Sequence, residues 1–201
     1  MKRVLDTAVK KWGYGIPYNP IKDIEFPKGS SARTRRLVSD EKELLLTAAS
    51  SQRNIYIASI IEFAIETGMR RSEILKLRWR DVDLEKGFAS LYDTKNGEDR
   101  RVPLTRKCIE VLQTSPQTDE RVFPISATCL RLAWNRARNK AGITDLRFHD
   151  LRHEAVSRFF EMGMSVPEVA LISGHKDVRQ LFRYIHLNPS NVFKKYSAFS
   201  G

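Results

Sequence analysis

The feature that most limits the fold of this chain is a short stretch of strand-like periodicity between long segments of helical periodicity. The helical segments include residues 55–66, an isoleucine-rich stripe that Gly68 ends. From residue 88 to residue 104, the segments FASLYD, TKNGED and RRVPL instead indicate strand, turn and strand, with Asn96-Gly97 at the tight turn. We therefore predict a mainly α fold with a small antiparallel β-sheet, of the α+β class.

Helical patterns return after the hairpin. One predicted helix ends at Gly142, and the next runs from about His149 to Met162. The SVPE segment then predicts a capping box at Ser165, for a helix that ends at Gly174. A last short helix is predicted from a cap at Asp177 to His186, with a core-facing stripe of Val178, Leu181, Phe182 and Ile185. Tyr184 lies off that stripe, so the segment alone favours a surface aromatic.

Composition indicates a soluble globular chain with a polyanionic partner. Of its 201 residues, 41% are hydrophobic and 29% are charged, and 35 Lys and Arg against 24 Asp and Glu give a net charge of +11. Nucleic acid is the first partner to consider, because the basic residues lie in segments that look folded. Cys108 and Cys129 give no disulfide framework, and no signal or membrane-spanning segment is seen, so we expect a cytoplasmic protein.

The chain divides into four predicted parts. Residues 1–12 carry a short apolar helical stripe, and residues 13–38 are basic and proline-rich, as in an extended interdomain linker. Residues 39–189 hold the main domain, and residues 190–201 form a C-terminal tail. The first stripe is too short to bury itself. It is interpreted as the end of a missing N-terminal domain, with a small helix folded onto the main body as the alternative.

Several isolated polar residues have ordinary structural explanations when taken singly. Arg70 lies between two helices, and Lys95 precedes the hairpin turn. His149 and Arg152 are three residues apart on a helix, and His175 follows a helix end. A surface charge, a turn residue, a helix cap or a buried structural histidine would each account for one of them.

Together, and in this order, these residues resemble the catalytic domain of the tyrosine recombinases, the phage integrase family. That family has an Arg in T-G-x-R-x-S-E, a Lys in a β-hairpin, a His-x-x-Arg pair, a Gly-His, and a tyrosine nine residues after that His. The matching segments here are TGMRRSE, TKNGEDRRVPL, HDLRH, GH and Tyr184, and the resemblance covers roughly residues 35–190. Departures are small, with Leu181 where Thr is common and Ser173 where Leu is frequent.

The resemblance implies a role for each matching side chain. Tyr184 is the nucleophile, and Arg70 and Arg152 hold the phosphate, because guanidinium offers paired, permanently charged donors. Lys95 is the general acid for the leaving 5′-oxygen, and His149 is the general base. His175 donates a hydrogen bond in the transition state, and Glu73 orients Arg70. Arg71 and His153 receive no role, and neither a metal nor another cofactor is expected.

The resemblance further implies the fold of the DNA breaking-rejoining enzymes and the activity of a site-specific DNA recombinase. Cleavage passes through a 3′-phosphotyrosine, and the expected setting in the cell is integration or excision of a prophage or mobile element near the bacterial nucleoid. The expected partner is double-stranded DNA, with four copies on paired sites or a monomer in solution, and no membrane. Residues 1–12 resemble the last helix of the family's core-binding domain, and residues 190–201 resemble an arm that docks on a neighbouring subunit. The alternatives are a type IB-like topoisomerase and a truncated DNA-binding relic that does not cleave.

Overall fold

The computed structural model describes residues 2–15, 17–24, 33, 35–92 and 99–185. The chain divides into two compact units, Met1–Arg33 and Thr34–Gly201. The hairpin turn with Lys95, the predicted end of the last helix at His186, and the C-terminal tail all lie outside the described residues.

The first unit contains helix α1, Lys2–Lys11, followed by a 3₁₀ turn at Pro20–Asp23. The Asn19 side chain caps this turn by accepting a hydrogen bond from the amide of Ile21, and it donates another to the Asp6 carboxylate at 2.9 Å. These bonds tie the turn back to α1 within the unit. The predicted assignment of residues 1–12 to the end of another domain stays a prediction.

The second unit is mainly helical, and four of its α-helices correspond to those predicted above. Their bounds are α2 Glu41–Ser50, α3 Tyr56–Thr67, α4 Arg71–Lys76, α5 Arg106–Thr114, α6 Ala127–Lys140, α7 Asp150–Glu161 and α8 Val166–Ser173. The capping box predicted at Ser165 is present, with Glu168 accepting from the Ser165 amide at 2.7 Å. The predicted mainly α fold with a small antiparallel sheet is confirmed.

Helix α3 lies at the centre of this unit. Every residue from Ile60 to Thr67 is buried, which is typical of a helix surrounded by other elements. Its neighbours are α2, α5 and α7, and the Phe63 ring meets Phe123 edge-on with centroids 5.6 Å apart. The helix ends at Gly68, whose φ of 63° is a left-handed value that favours glycine. The chain therefore leaves the core at a fixed point, immediately before Arg70.

A three-stranded antiparallel sheet covers one side of the helices. Its strands are β1 Val82–Asp83, β2 Phe88–Leu91 and β3 Arg100–Pro103, in the order β1-β2-β3. The register pairs Ala89 with Val102 and Leu91 with Arg100. Because side chains alternate along a strand, Arg100 lies on the same face as the fully buried Val102. Helix α8 packs against β3, so this face meets the end of α8.

The segment before α2 is fastened to the helices of the second unit. Arg35 forms an ion pair with Glu41, and its Nε donates to the carbonyl of Asp145 at 2.9 Å. Arg36 grips both oxygens of Glu154 on α7, at 3.1 and 3.0 Å. Residues 35–38, which the sequence assigns to the linker, are thus attached to the main helices.

The segment that holds Tyr184 differs from its prediction. It forms two 3₁₀ turns, Val178–Gln180 and Phe182–Tyr184, rather than one α-helix. A 3₁₀ turn has three residues per rotation, so Leu181 and Tyr184 point the same way, and both are buried. Val178 and Phe182 are exposed, so the predicted α-helical stripe was wrong, as was the position of Tyr184 outside the core. The predicted Asp177 cap is present, accepting from the Arg179 amide.

Candidate active site

Arg70 stands at the start of α4, where the left-handed turn at Gly68 releases the chain. Its Nη1 donates to Glu73 at 2.8 Å, and its Nη2 donates to the carbonyl of Gly174 at 3.0 Å. Glu73 also accepts from the Arg70 amide at 2.7 Å and so closes the first turn of α4. The end of α3, the start of α4 and the end of α8 therefore meet at one guanidinium group.

Arg152 approaches the same place from α7. It is 5% exposed, and it donates to the carbonyl of Gly68 at 2.6 Å and to that of Ser173 at 2.7 Å. Burial and the nearby charge of Arg70 together lower the pKa of Arg152 to about 10, so the group stays cationic at neutral pH. Two cations that disfavour each other make this pocket a favourable place for an anion.

Arg100 is a further member of this cluster that the sequence reasoning missed. Its side chain is 6% exposed, and it forms a paired contact with both oxygens of Glu73, at 3.1 and 2.8 Å. Burial alone would raise the pKa of Glu73, but the hydrogen bonds from Arg100 and Arg70 outweigh it and lower the pKa. Strand alternation was the available signal, since it places Arg100 beside the buried Val102. The carboxylate of Glu73 is thus shared between the two arginines, as its predicted orienting role requires.

His175 follows the left-handed Gly174, which has a φ of 69°. Its Nδ1 lies 2.6 Å from the Ser173 hydroxyl, and its ring lies 3.4 Å from Nη2 of Arg152. Burial and the two arginines lower the pKa of His175 to about 4, so the ring is neutral at pH 7 and keeps one N–H to donate. It therefore lines the same anion pocket.

Tyr184 lies against α7. The ring is 8% exposed and stacks on His153, with centroids 5.6 Å apart and planes at 29°. Its hydroxyl forms a hydrogen bond with Nδ1 of His153. Burial raises the pKa of Tyr184, whereas the charges of Arg183 and Arg152 pull it down. Arg152 is thus close enough to the phenol to affect its ionisation.

His149 occupies the cap position at the start of α7. Its ring meets that of His153 edge-on, with centroids 5.0 Å apart. Within the described part of the chain, no hydrogen bond joins His149 to Tyr184. Burial and Arg152 lower the pKa of His149. The structure therefore brings Arg70, Arg152, His175 and Glu73 together, with Tyr184 beside them and His149 at the edge. The part played by each of them stays a prediction, and Lys95 lies outside the described residues.

The described residues hold neither a metal-binding cluster nor a membrane-spanning helix. No group of three or more His, Cys, Asp or Glu side chains lies close enough to hold a metal ion in that part of the chain. No helix in the same ranges is both long and apolar enough to cross a membrane.

Comparison with known proteins agrees with this geometry. The sequence matches the phage integrase family over residues 35–191. It is 44% identical over 200 residues to the shufflon-specific DNA recombinase of Escherichia coli, covering 98% of this chain and 52% of that protein. The chain spans about half the length of the curated relatives it matches.

Solved structures place the fold in the same group. The catalytic domain of bacteriophage HP1 integrase is 25% identical, with a TM-score of 0.68 over 81% of this chain and 93% of that one. A lambda integrase dimer bound to a COC′ core site is 23% identical and shows the likeness of fold alone, with a TM-score of 0.74 over 91% of this chain and 56% of that one. The fold is that of a tyrosine recombinase catalytic domain. The chain belongs to the phage integrase family.

Proposed function

We propose that this chain is the catalytic part of a site-specific DNA recombinase, which cleaves and rejoins strands through a 3′-phosphotyrosine. One observation carries the proposal. Two guanidinium groups, from Arg70 and Arg152, converge on the carbonyls at the end of α8, and a buried tyrosine packs against α7, the helix that carries Arg152. That arrangement fits an attacked phosphodiester, an anion whose non-bridging oxygens gain charge as the nucleophile adds.

The chemistry follows from these groups. A free tyrosine has a pKa of about 10, so only ~0.1% is phenolate at neutral pH, a deficit of about 4 kcal/mol. Burial of Tyr184 increases that deficit, and the positive pocket offsets part of it. The phenol gives its proton to His149, the predicted base, and its oxygen bonds to phosphorus while the bond to the 5′-oxygen breaks. The departing oxygen is a strong base and takes a proton from Lys95, and His175 stabilises the phosphorane oxygens.

The partners and the domain plan belong to the same proposal. The DNA-bound lambda integrase dimer and the net charge of +11 support double-stranded DNA as the partner of this chain. Integration or excision of a prophage or mobile element would take place in the bacterial cytoplasm, with four copies on paired sites. In this plan residues 1–12 end a core-binding domain, residues 13–38 are its linker, residues 39–189 are catalytic, and residues 190–201 dock on a neighbouring subunit.

Recombinase activity is favoured over the two alternatives. The E. coli relative is named a DNA recombinase, which favours strand exchange over relaxation of supercoils by a topoisomerase. A relic would tolerate losses in its site, whereas the described residues keep both arginines, His149, His175 and the tyrosine. Recombinants from defined site pairs, measured against relaxation of arbitrary plasmids, distinguish the two activities.

The test of cleavage uses a nicked duplex that traps the cut strand. Its binding site is first selected from random-sequence duplexes. We expect the unaltered chain to form an adduct that survives denaturing detergent, and Tyr184→Phe to form none. If the unaltered chain binds the site and forms no adduct, the proposed function is wrong.

A further inference from the structure

Arg100 is buried in the candidate active site, yet its own bonds keep it from holding the substrate. Its side chain is 6% exposed, and all three of its guanidinium nitrogens donate to other parts of the chain. Nη1 and Nη2 donate to the two oxygens of Glu73 at 3.1 and 2.8 Å, and Nε donates to the carbonyl of Ile172 at 3.1 Å. A phosphate could reach Arg100 only by breaking these bonds, so any part that Arg100 plays in the reaction is indirect.

The carboxylate of Glu73 has no acceptor capacity left. One oxygen accepts from Nη1 of Arg70 at 2.8 Å and from Nη1 of Arg100. The other accepts from the Arg70 amide at 2.7 Å and from Nη2 of Arg100. A carboxylate has about four lone-pair sites, and these bonds use all of them. Arg70 therefore has only one of its guanidinium nitrogens on this carboxylate.

Arg70 is consequently left with donors for an anion. Its side chain is 21% exposed, against 6% for Arg100, so it is the more open of the two groups. Each Nη group carries two hydrogens, and within the described chain Nη1 and Nη2 each use one, on Glu73 and on the Gly174 carbonyl. The paired contact with both carboxylate oxygens, which a guanidinium prefers, is taken by Arg100 instead.

Arg100 also helps to place the end of α8. The three successive carbonyls at residues 172–174 accept from Arg100, Arg152 and Arg70, in that order. Arg100 lies so close to Gly174 that a side chain there would meet its guanidinium group. The backbone that holds both phosphate-binding arginines is therefore fastened to β3 by the same residue that fills Glu73.

Loss of Arg100 would change the balance at Glu73. The Glu73 side chain is 8% exposed, and a buried carboxylate that loses one cation is stabilised by pairing more fully with another. Arg70 already donates to one of its oxygens from three residues away. Its guanidinium would turn to pair with both oxygens, and its donors would leave the place where the phosphate is expected.

We propose that Arg100 is a positioning residue: it occupies the carboxylate of Glu73 and so keeps Arg70 available for the attacked phosphate. The inference rests on the proposed function and deepens it, because it names the group that prevents the phosphate-binding arginine from being captured within the protein.

The first test measures single-turnover adduct formation on the nicked duplex at saturating DNA. We expect Arg100→Gln to slow the reaction by about 100-fold, the range for a displaced catalytic group. The matched control is Arg101→Gln, which removes the same charge from the next residue of β3. Arg101 is exposed and lies on the opposite face of the strand, so this variant should cleave at the unaltered rate.

The second test separates competition for Glu73 from general support of the site. A neutral amide attracts a guanidinium less than a carboxylate does, so Glu73→Gln should release Arg70 when Arg100 is missing. We expect the double variant, Arg100→Gln with Glu73→Gln, to cleave about threefold or more faster than Arg100→Gln alone. A merely structural role predicts a further loss instead, because the second substitution removes more bonds from the same site.

Thermal midpoints show whether each variant is folded. If Arg100→Gln does not fold, Arg100→Lys takes its place in both tests, since it keeps the charge but fills only one oxygen of Glu73. The same gain on adding Glu73→Gln is then expected.

Two results would contradict the proposal. Cleavage by folded Arg100→Gln at the unaltered rate would show that Arg70 stays available without Arg100. A double variant that gains less than the expected factor, or that cleaves more slowly, would show that Arg100 does not act by competing for Glu73. In both cases an adduct from the unaltered chain leaves the proposed function in place, whereas the absence of that adduct overturns the proposed function itself.

Discussion

At the scale of single residues, the site depends on guanidinium groups that each donate hydrogen bonds to two separate parts of the chain. Arg152 donates hydrogen bonds to two main-chain carbonyls, those of Gly68 and Ser173. A lysine in its place offers a point charge and cannot span both carbonyls and a phosphate. The positive charge of Arg152 is therefore not sufficient, and the planar guanidinium group is needed as well.

We predict that Arg152→Lys lowers the rate of adduct formation by about 100-fold, as for loss of one donor to a transition-state oxyanion. It also leaves at least one buried carbonyl unpaired, which costs about 1–3 kcal/mol in the free energy of unfolding. Single-turnover cleavage and urea titration measure the two effects. Arg106→Lys, at a side chain that is 95% exposed, is the control and should change neither.

A second prediction at this scale concerns pH and Glu73. Because its pKa is lowered in the folded protein, the ionised carboxylate stabilises the fold above the unfolded pKa of about 4.3, and that contribution is lost as the pH falls through the folded value. Glu73→Gln should therefore cost about 1–3 kcal/mol at pH 6, with the difference from wild type narrowing as the pH falls below about 4.

Urea unfolding at successive pH values measures this difference. Glu120→Gln serves as the exposed comparison, with 79% of the side chain accessible. If the difference in the free energy of unfolding between wild type and Glu73→Gln increased as the pH fell, the ionised Glu73 carboxylate would not be the source of the stabilisation.

At the scale of elements, the end of α8 is the most tightly constrained point. A Cβ built on Gly174 would lie 2.7 Å from Nη1 of Arg100, and the backbone φ there is already left-handed. Gly142 has nearly the same φ, 71° against 69°, but nothing within 4 Å of an added Cβ. Comparing alanine substitutions at the two positions therefore distinguishes the cost of backbone strain from the cost of a steric clash.

We predict that Gly142→Ala costs about 1 kcal/mol and that Gly174→Ala costs about 1–3 kcal/mol more, because the side chain must displace Arg100. Gly174→Ala should also slow cleavage, since the Gly174 carbonyl holds Arg70. Thermal and urea unfolding give the first comparison, and adduct formation gives the second. Equal costs at the two positions would show that Arg100 moves aside freely.

The elements also show how far the sequence determines the structure. Helical periodicity predicted α3 and α7, because many residues of one period outweigh any local preference, and the capping box at Ser165 predicted α8. The last segment was predicted wrongly, since over seven residues a 3.0 and a 3.6 period are hard to tell apart. Tyr184 was consequently placed on the wrong side of that segment, although its spacing of nine residues from His175 made it a candidate site residue.

Side-chain partners were harder to predict than elements. Arg100 and His153 act through residues far away in the sequence, namely Glu73 and Tyr184. No local pattern encodes such pairing, which appears only when β3 meets α8 and when the last 3₁₀ turn meets α7. The ordered motifs selected the residues predicted to bind phosphate, and Glu73 beside Arg70, but not the contacts of Arg100 and His153.

At the scale of the whole molecule, the proposed function makes charge the main factor in the encounter with DNA. The net charge of +11 predicts binding dominated by phosphate contacts and release of counterions. We predict that the association constant for a 30-base-pair duplex falls log-linearly with salt, and that Arg70→Ala lowers the magnitude of the slope by about one unit. Tyr184→Phe should leave the slope unchanged.

Fluorescence anisotropy over a series of salt concentrations measures these slopes. Binding that did not change with salt would contradict an electrostatic interface. An Arg70→Ala slope equal to that of the unaltered chain would mean that this guanidinium contacts no phosphate in the complex.

Because Arg152 is held by main-chain carbonyls, its hydrogen-bond acceptors do not depend on the side chains at their positions, which affects how the site responds to mutation. A missense change can exchange any side chain, but it cannot delete a peptide oxygen, so the acceptors at positions 68 and 173 persist through every point mutation of those codons. Genetic drift can loosen this grip only by altering the arginine itself or by bending the main chain on either side.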